Sequence, residues 1–161
     1  MSNNNGSGKD RSTSRERNEI ENDVLLIIKD TEKTLLDSLN PAVIKDLNPF
    51  KRKQVYRYFE KKDSEYAIKT YKEGENIIIK IYPVGKLRRL AEQKTQEVLM
   101  KGSEEELPPM DAYERFIIHD YLKERNGICT ASIGVSGKDR RVKIVPVYGR
   151  PLRKARKRFS R

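Results

Sequence analysis

The run Leu107-Pro108-Pro109-Met110-Asp111-Ala112-Tyr113-Glu114-Arg115-Phe116-Ile117-Ile118-His119-Asp120-Tyr121-Leu122-Lys123 carries most of the information about fold and site in this chain. Two prolines end an extended piece, and Asp111 with Glu114 three residues later has the pattern of a reciprocal helix cap. The spacing predicts a helix from Asp111 to about Arg125, stopped by Asn126-Gly127. At about 100° per residue, Tyr113, Ile117, Ile118, Tyr121 and Leu122 fall on one arc and are expected in the core. Arg115, His119 and Lys123 recur at one-turn spacing on the opposite side and form an outward basic stripe. A guanidinium, an imidazole and an ammonium in line suit successive oxygens of a phosphodiester backbone. The alternative is an ordinary solvated face. Phe116 falls away from the apolar arc, which makes it either an exposed platform for stacking a base or a residue packed under the helix that begins at Asn48.

Upstream, Tyr66 to Tyr71 and Asn76 to Tyr82 are runs of strand formers around Lys72-Glu73-Gly74-Glu75, which reads as a β-hairpin. Ile77, Ile79 and Ile81 share one face of its second strand. Leu87, Leu90, Ala91 and Val98 then recur at helical spacing up to Gly102, and Glu104 to Leu107 is a short extended piece. Downstream, Ile128 to Ile133 and Arg140 to Val147 are closing strands joined by a polar loop. Before the hairpin, Asn48-Pro49 caps a basic amphipathic helix in which Phe50, Val55, Tyr58 and Phe59 are expected to face inward. Earlier still, Val24, Leu25, Ile28, Leu35, Leu36 and Leu39 approximate a helical stripe with Asn22 as its cap. The expected fold is α+β: a small antiparallel sheet with helices on one side, in the order strand, helix, strand, helix, strand, strand from Asn76, preceded by a helix and a β-hairpin.

The chain has 161 residues, 35% hydrophobic and 37% charged, which favours one modest core over two. The net charge of +11 favours a polyanionic partner. Seven of those charges lie between Arg150 and Arg161, a stretch without an acid that includes Arg153, Lys154, Arg156, Lys157 and Arg158. Residues 1–18 and 150–161 are expected to be disordered tails, since they have too little apolar surface to offset ordering. From Glu19 to Asn40 six acids face two lysines, so this segment repels nucleic acid and is either a surface for a protein partner or a helix packed back on its own domain. No apolar run reaches the roughly 20 residues of a membrane helix, and no secretory signal precedes the charged segments, so a cytoplasmic location is expected. One Cys129 and one His119 cannot supply a four-ligand zinc site or an internal disulfide.

The segment from Leu107 to His119 closely resembles the signature of the R-3-H domain, named for Arg-x-x-x-His. The flanks agree with bacterial members of the Jag type: Pro109-Met110, Glu114 to His119, Thr130-x-Ser132-x-Gly134, and Arg140-Arg141-Val142-Lys143-Ile144-Val145-Pro146. The resemblance covers roughly residues 76–148. It implies a small antiparallel sheet with helices on one side and binding of single-stranded DNA or RNA, with Arg115 and His119 as the surface pair and Arg140 and Arg141 as a second basic patch. Two features depart from the Jag pattern. The only Gly-x-x-Gly spacing outside the tails, Gly134-Val135-Ser136-Gly137, lies between two strands and reads as a hairpin turn, so no KH loop is found. Val135 to Asp139 also lacks the acidic, proline-containing stretch of Jag relatives.

The expected organisation is a tail at 1–18, an acidic helical segment at 19–47, a basic helix and first hairpin strand at 48–75, the R-3-H-like domain at 76–149, and a basic tail at 150–161. The expected interface comprises Arg115, His119, Lys123, Phe116, Arg140, Arg141, Lys143 and the tail cations Arg153, Lys154, Arg156, Lys157 and Arg158. The partner is single-stranded RNA, slightly favoured, or DNA, with residues 19–40 available to a protein. A rival is an adaptor whose acidic helix recruits that protein while the tail binds polyanions nonspecifically. A hydrolase built from His119, Asp120 and Ser132 is disfavoured, because neighbours on a helix point about 100° apart and Asp120 cannot easily orient His119. No P-loop or dinucleotide fingerprint is present, so neither cofactor, metal nor enzymatic activity is expected.

Overall fold

The computed structural model describes residues 20–148. The expectations for residues 1–18 and for the basic tail, including Arg153, Lys154, Arg156, Lys157 and Arg158, lie outside the described residues. Within them the order is α1 (Asn22–Asp37), β1 (Ala42–Ile44), α2 (Pro49–Glu60), β2 (Ala67–Glu73), β3 (Asn76–Tyr82), α3 (Val84–Lys101), β4 (Glu105–Glu106), α4 (Ala112–Leu122), β5 (Ile128–Ile133) and β6 (Arg141–Pro146). The fold is α+β, as the sequence pattern predicts.

The strands form two antiparallel three-stranded sheets, ordered β1-β3-β2 and β4-β6-β5. Thus β3 joins the hairpin sheet, not the sheet that follows it. Gly74, at φ 62, supplies the left-handed residue of the tight β2-β3 turn, where Glu73 pairs with Asn76. The short strand β1 was not evident in the sequence, because Ala42-Val43-Ile44 gains its strand character only by pairing with Ile81, Lys80 and Ile79.

Two apolar clusters replace the single core that the composition suggests. Val24, Ile28, Leu35, Val55, Phe59, Ile79 and Ile81 meet in one, and Leu87, Val98, Leu107, Ile117, Ile118, Val142 and Ile144 in the other. The reason lies in β3. Its alternating side chains send Ile79 and Ile81 to the first cluster and its last residue, Tyr82, to the second. Each fully buried aliphatic or aromatic side chain is worth about 1.5–3 kcal/mol.

The acidic helix α1 packs back on its own chain. Val24, Ile28, Thr31 and Leu35 are its buried stripe, while Leu36, expected inward, is 68% exposed because it lies one residue off that stripe. Asn22 is the first helical residue rather than the cap; the Glu21 N–H before it donates to Gln54 Oε1 of α2 at 2.9 Å, a tertiary contact in place of a local one. Acids of α1 meet bases of α2 and the turn after it: Glu32 pairs with Lys62 at 2.7 Å and Asp23 with Lys51. Asn48 caps α2 as expected, accepting from Lys51 N at 2.8 Å. Phe50 points outward at 59% exposure, since it lies in the first turn away from α1 and β2, whereas Val55 and Phe59 are buried and Tyr58 is half-buried.

Candidate nucleic-acid interface

Helix α4 is held at its start from both sides. Asp111 accepts the Glu114 N–H at 2.9 Å while Glu114 accepts the Asp111 N–H at 2.7 Å, completing the reciprocal cap. The preceding chain is tied to the edge of β6, with Leu107 N–H donating to Val142 O and Met110 N–H to Arg140 O. The helix closes at Leu122, three residues before the expected end, and Tyr121 is 42% exposed rather than in the core. Its hydroxyl reaches toward Glu92 of α3 at 3.5 Å, so its ring lies along the rim of the α3-α4 contact.

These restraints create a cleft of about 350 Å³ between the start of α4 and the β5-β6 loop, lined by Pro109, Met110, Ala112, Arg115, Lys138 and Arg140 among others. Arg115 is half-buried and donates through Nη1 to Met110 O at 2.7 Å, which fixes its guanidinium at the cleft wall. Among the described residues, Arg140 and Lys138 have no carboxylate within ion-pair distance. Asp111 also lines the cleft, its carboxylate accepting from the Glu114 N–H and the Tyr82 hydroxyl. Three cations, Arg115, Lys138 and Arg140, share this concavity with the single carboxylate of Asp111, which leaves it net positive.

His119 is placed differently from its neighbours on the stripe. Its half-buried ring lies against β5, with Nδ1 2.8 Å from Thr130 Oγ1 and Nε2 2.8 Å from Ser132 Oγ. Burial, and next the charge of Arg115, holds its pKa below the ordinary histidine value, so the ring is neutral at pH 7. One nitrogen then donates and the other accepts, and the ring clamps α4 to β5. Although Ser132 lies within reach of this base, the third position is filled by the Thr130 hydroxyl, which cannot balance an imidazolium as a carboxylate would. Asp120 turns to Lys123 instead, at 2.7 Å.

Strand alternation separates the remaining basic residues. Val142 and Ile144 face the helices, so Arg141 and Lys143 stand on the opposite face of the sheet from α4. There Arg141 meets Glu106 and Asp139, each at 3.4 Å, and Lys143 meets Glu104. The cleft thus brings together Arg115 and Arg140 from the predicted set, adds Lys138, and leaves Arg141, Lys143 and Lys123 in ion pairs elsewhere. Lys138 was overlooked, although it is the one base within the loop from Gly134 to Asp139. Phe116 is 58% exposed and lies stacked on Tyr113, with ring centroids 6.0 Å apart and planes at 21°, not under α2. Being one turn beyond Ala112, it continues the cleft along α4.

Glu114 is 2% exposed, and burial pushes its carboxyl up to about 6, with the charge of Asp111 adding to the rise and the Asp111 N–H bond, Lys80 and Arg115 opposing it. A carboxyl raised on folding from its ordinary 4.5 contributes stability below pH 4.5 that is lost as the pH climbs through about 6. The loss amounts to about 2 kcal/mol. Glu114→Gln keeps an acceptor for the Asp111 N–H without the charge. Relative to wild type it is expected to gain up to about 2 kcal/mol between pH 4.5 and 7.5 in chemical denaturation. A difference that stays flat over that interval would contradict the assignment.

A cationic cleft at a capped helix start, with an exposed aromatic ring one turn further on, has the charge and stacking surface that suit a nucleic-acid strand. Residues 85–146, under half of the chain, match the family model of the R-3-H domain, as the sequence resemblance implies. Domains of this family generally bind single-stranded nucleic acid. The match starts at Gly85, within the first turn of α3, later than the position 76 implied by the sequence resemblance. Neither the search of curated proteins nor that of solved structures found a match. No helix among the described residues is long and apolar enough to cross a membrane.

Proposed function

We propose that this protein binds single-stranded nucleic acid without catalysis, RNA slightly favoured over DNA, with backbone phosphate in the cleft formed by Arg115, Arg140 and Lys138. The observation that carries this is the pairing pattern: Arg115 is oriented by a carbonyl and not by an ion pair, and Arg140 and Lys138 have no acid partner, among the described residues. His119 supports the cleft through its clamp on Thr130 and Ser132 and touches phosphate only at its remaining exposed edge. Phe116 offers a base-stacking face, worth about 1–3 kcal/mol per base. Lys123, Arg141 and Lys143 contribute to the surrounding field through ion pairs that an incoming strand can displace. The tail cations Arg153, Lys154, Arg156, Lys157 and Arg158 add long-range attraction.

A bacterial, cytoplasmic, Jag-like role belongs to the same reading and rests on the sequence resemblance. The adaptor variant retains the outer face of α1, where Leu26 and Leu36 remain exposed among acids.

Fluorescence anisotropy with single-stranded RNA, single-stranded DNA and duplex, across a salt series, tests the proposal. Arg115→Ala is expected to cost about 1–3 kcal/mol of binding, the range for a charge-assisted hydrogen bond, and Arg140→Ala a similar amount. A chain ending at Gly149 is expected to bind more weakly and with a shallower salt slope while keeping its preference for single strands. If Arg115→Ala and Arg140→Ala bind as wild type does and only the truncation loses affinity, the cleft is not the site.

A further inference from the structure

Beyond the cleft, the hairpin sheet presents a second group of unpaired cations. Lys69 of β2 and Lys80 of β3 are direct cross-strand partners on the face of that sheet turned away from Ile79 and Ile81. Like charges placed opposite one another destabilise a sheet, so this pair is unfavourable for folding alone. Among the described residues neither lysine has a carboxylate within ion-pair distance or donates a hydrogen bond. Each instead lies over an aromatic ring: Lys69 Nζ is 4.7 Å from the Tyr113 centroid and Lys80 Nζ 5.0 Å from that of Tyr71. The acid that Lys80 faces is Glu114, buried in the first turn of α4, whose carboxyl the Lys80 charge draws downward without an ion pair forming between them.

Tyr113 is the ring on which Phe116 stacks, and Phe116 follows Ala112 of the cleft by one turn. The surface therefore runs without interruption from the cleft through Phe116 and Tyr113 to Lys69, Lys80 and the 38% exposed Tyr71. Cations held over aromatic faces alternate with rings that have an open side, the pattern that takes phosphates and bases in turn. We propose that a single strand leaving the cleft continues across this face of the hairpin sheet, with phosphate at the Lys69/Lys80 pair and bases against Phe116 and Tyr71. Lys69, Lys80 and Tyr71 lie outside the family match, which starts at Gly85, so the segment before the domain lengthens its footprint. This inference rests on the single-strand reading given above.

The test compares wild type, Lys69→Gln/Lys80→Gln and Arg115→Ala/Arg140→Ala for anisotropy of labelled oligo-U and oligo-dT. Lengths of about 5 and about 15 nucleotides bracket the usual reach of such surfaces. The lysine double variant is expected to weaken the long oligomers roughly 10-fold, and to lower the salt slope by about 1.4, the value for two phosphate contacts on a single strand. It is expected to change the short oligomers less than about 2-fold, because these fit within the cleft. Its thermal midpoint should stay close to that of wild type, since the like-charge repulsion and the two cation–ring contacts are removed together. Tyr71→Ala should reproduce part of the loss on long oligomers without altering the salt slope. If the arginine variant loses binding while the lysine variant keeps wild-type affinity and slope at both lengths, this inference fails and the cleft reading stands. If wild type binds neither length, both fail together.

Discussion

Tyr82→Ala is expected to lower the free energy of unfolding by about 3–5 kcal/mol, the range for removing a buried aromatic ring. Tyr82 is wholly buried at the end of β3, where the hairpin sheet passes its chain to α3. Its ring meets Tyr113 edge to face at 4.7 Å, and its hydroxyl donates to Asp111 Oδ2 at 3.0 Å with the Tyr71 hydroxyl also 3.0 Å away. Burial first, then the bond with Tyr71, pushes its pKa upward, so it remains a protonated donor throughout the working range. Tyr82→Phe keeps the ring but leaves Asp111 without that donor, and is expected to cost about 1–2 kcal/mol. Urea denaturation of the three proteins checks both values. A cost below about 1 kcal/mol for Tyr82→Ala would show that this ring contributes little to the packing of the second cluster. Because Asp111 also caps α4, hydrogen exchange in the first turn of α4 should rise in Tyr82→Phe before the rest of the helix is affected.

Gly134→Val is expected to cost between about 2 and 5 kcal/mol and to weaken nucleic-acid binding together with stability. Gly134 follows β5 at φ 89, a left-handed conformation that a β-branched residue strongly disfavours. A Cβ placed there would lie 2.9 Å from Asp139 O and 3.1 Å from Arg140 Cα, both of them backbone atoms that cannot swing aside. The turn can relieve the contact only by moving the chain that presents Lys138 and Arg140 to the cleft. Its other restraint, Val135 N–H donating to Asp139 Oδ1 at 2.8 Å, would be strained by the same movement and is what holds the Asp139 carboxyl below its usual range. Thermal denaturation with single-strand anisotropy separates the two effects. A variant as stable as wild type but defective in binding, or stable and fully binding, would contradict this coupling.

Local patterns made α4 legible in the residues themselves. Its cap, its buried Ile117, Ile118 and Leu122, and its outward Arg115 all follow from i, i+3 and i+4 spacing within a dozen residues. The hairpin with Gly74 in its turn and the Asn48-Pro49 start of α2 were equally local. What escaped was set by contacts between distant segments. Strand β1 exists because β3 pairs with it, Phe50 lies outside at the start of α2, and Tyr121 lies at the rim of the α3-α4 contact beside Glu92 and Arg88 rather than within it. The division into two clusters came from β3, whose residues serve different partners on its two faces.

The same distinction applies to the site. The sequence by itself determined that an Arg-x-x-x-His helix would be capped, amphipathic and basic on its outer side, because spacing along a helix is a property of the chain alone. Only the tertiary structure decided which of those bases remain available. Arg115 was turned toward a cleft by the Met110 carbonyl, His119 was drawn onto two β5 hydroxyls, and Lys123 was paired with Asp120. Adjacent Arg140 and Arg141 were sent to opposite faces, one to the cleft and one to Glu106 and Asp139. Charge at a position is written in the residue, but whether it is free depends on what the fold places within hydrogen-bonding distance of it.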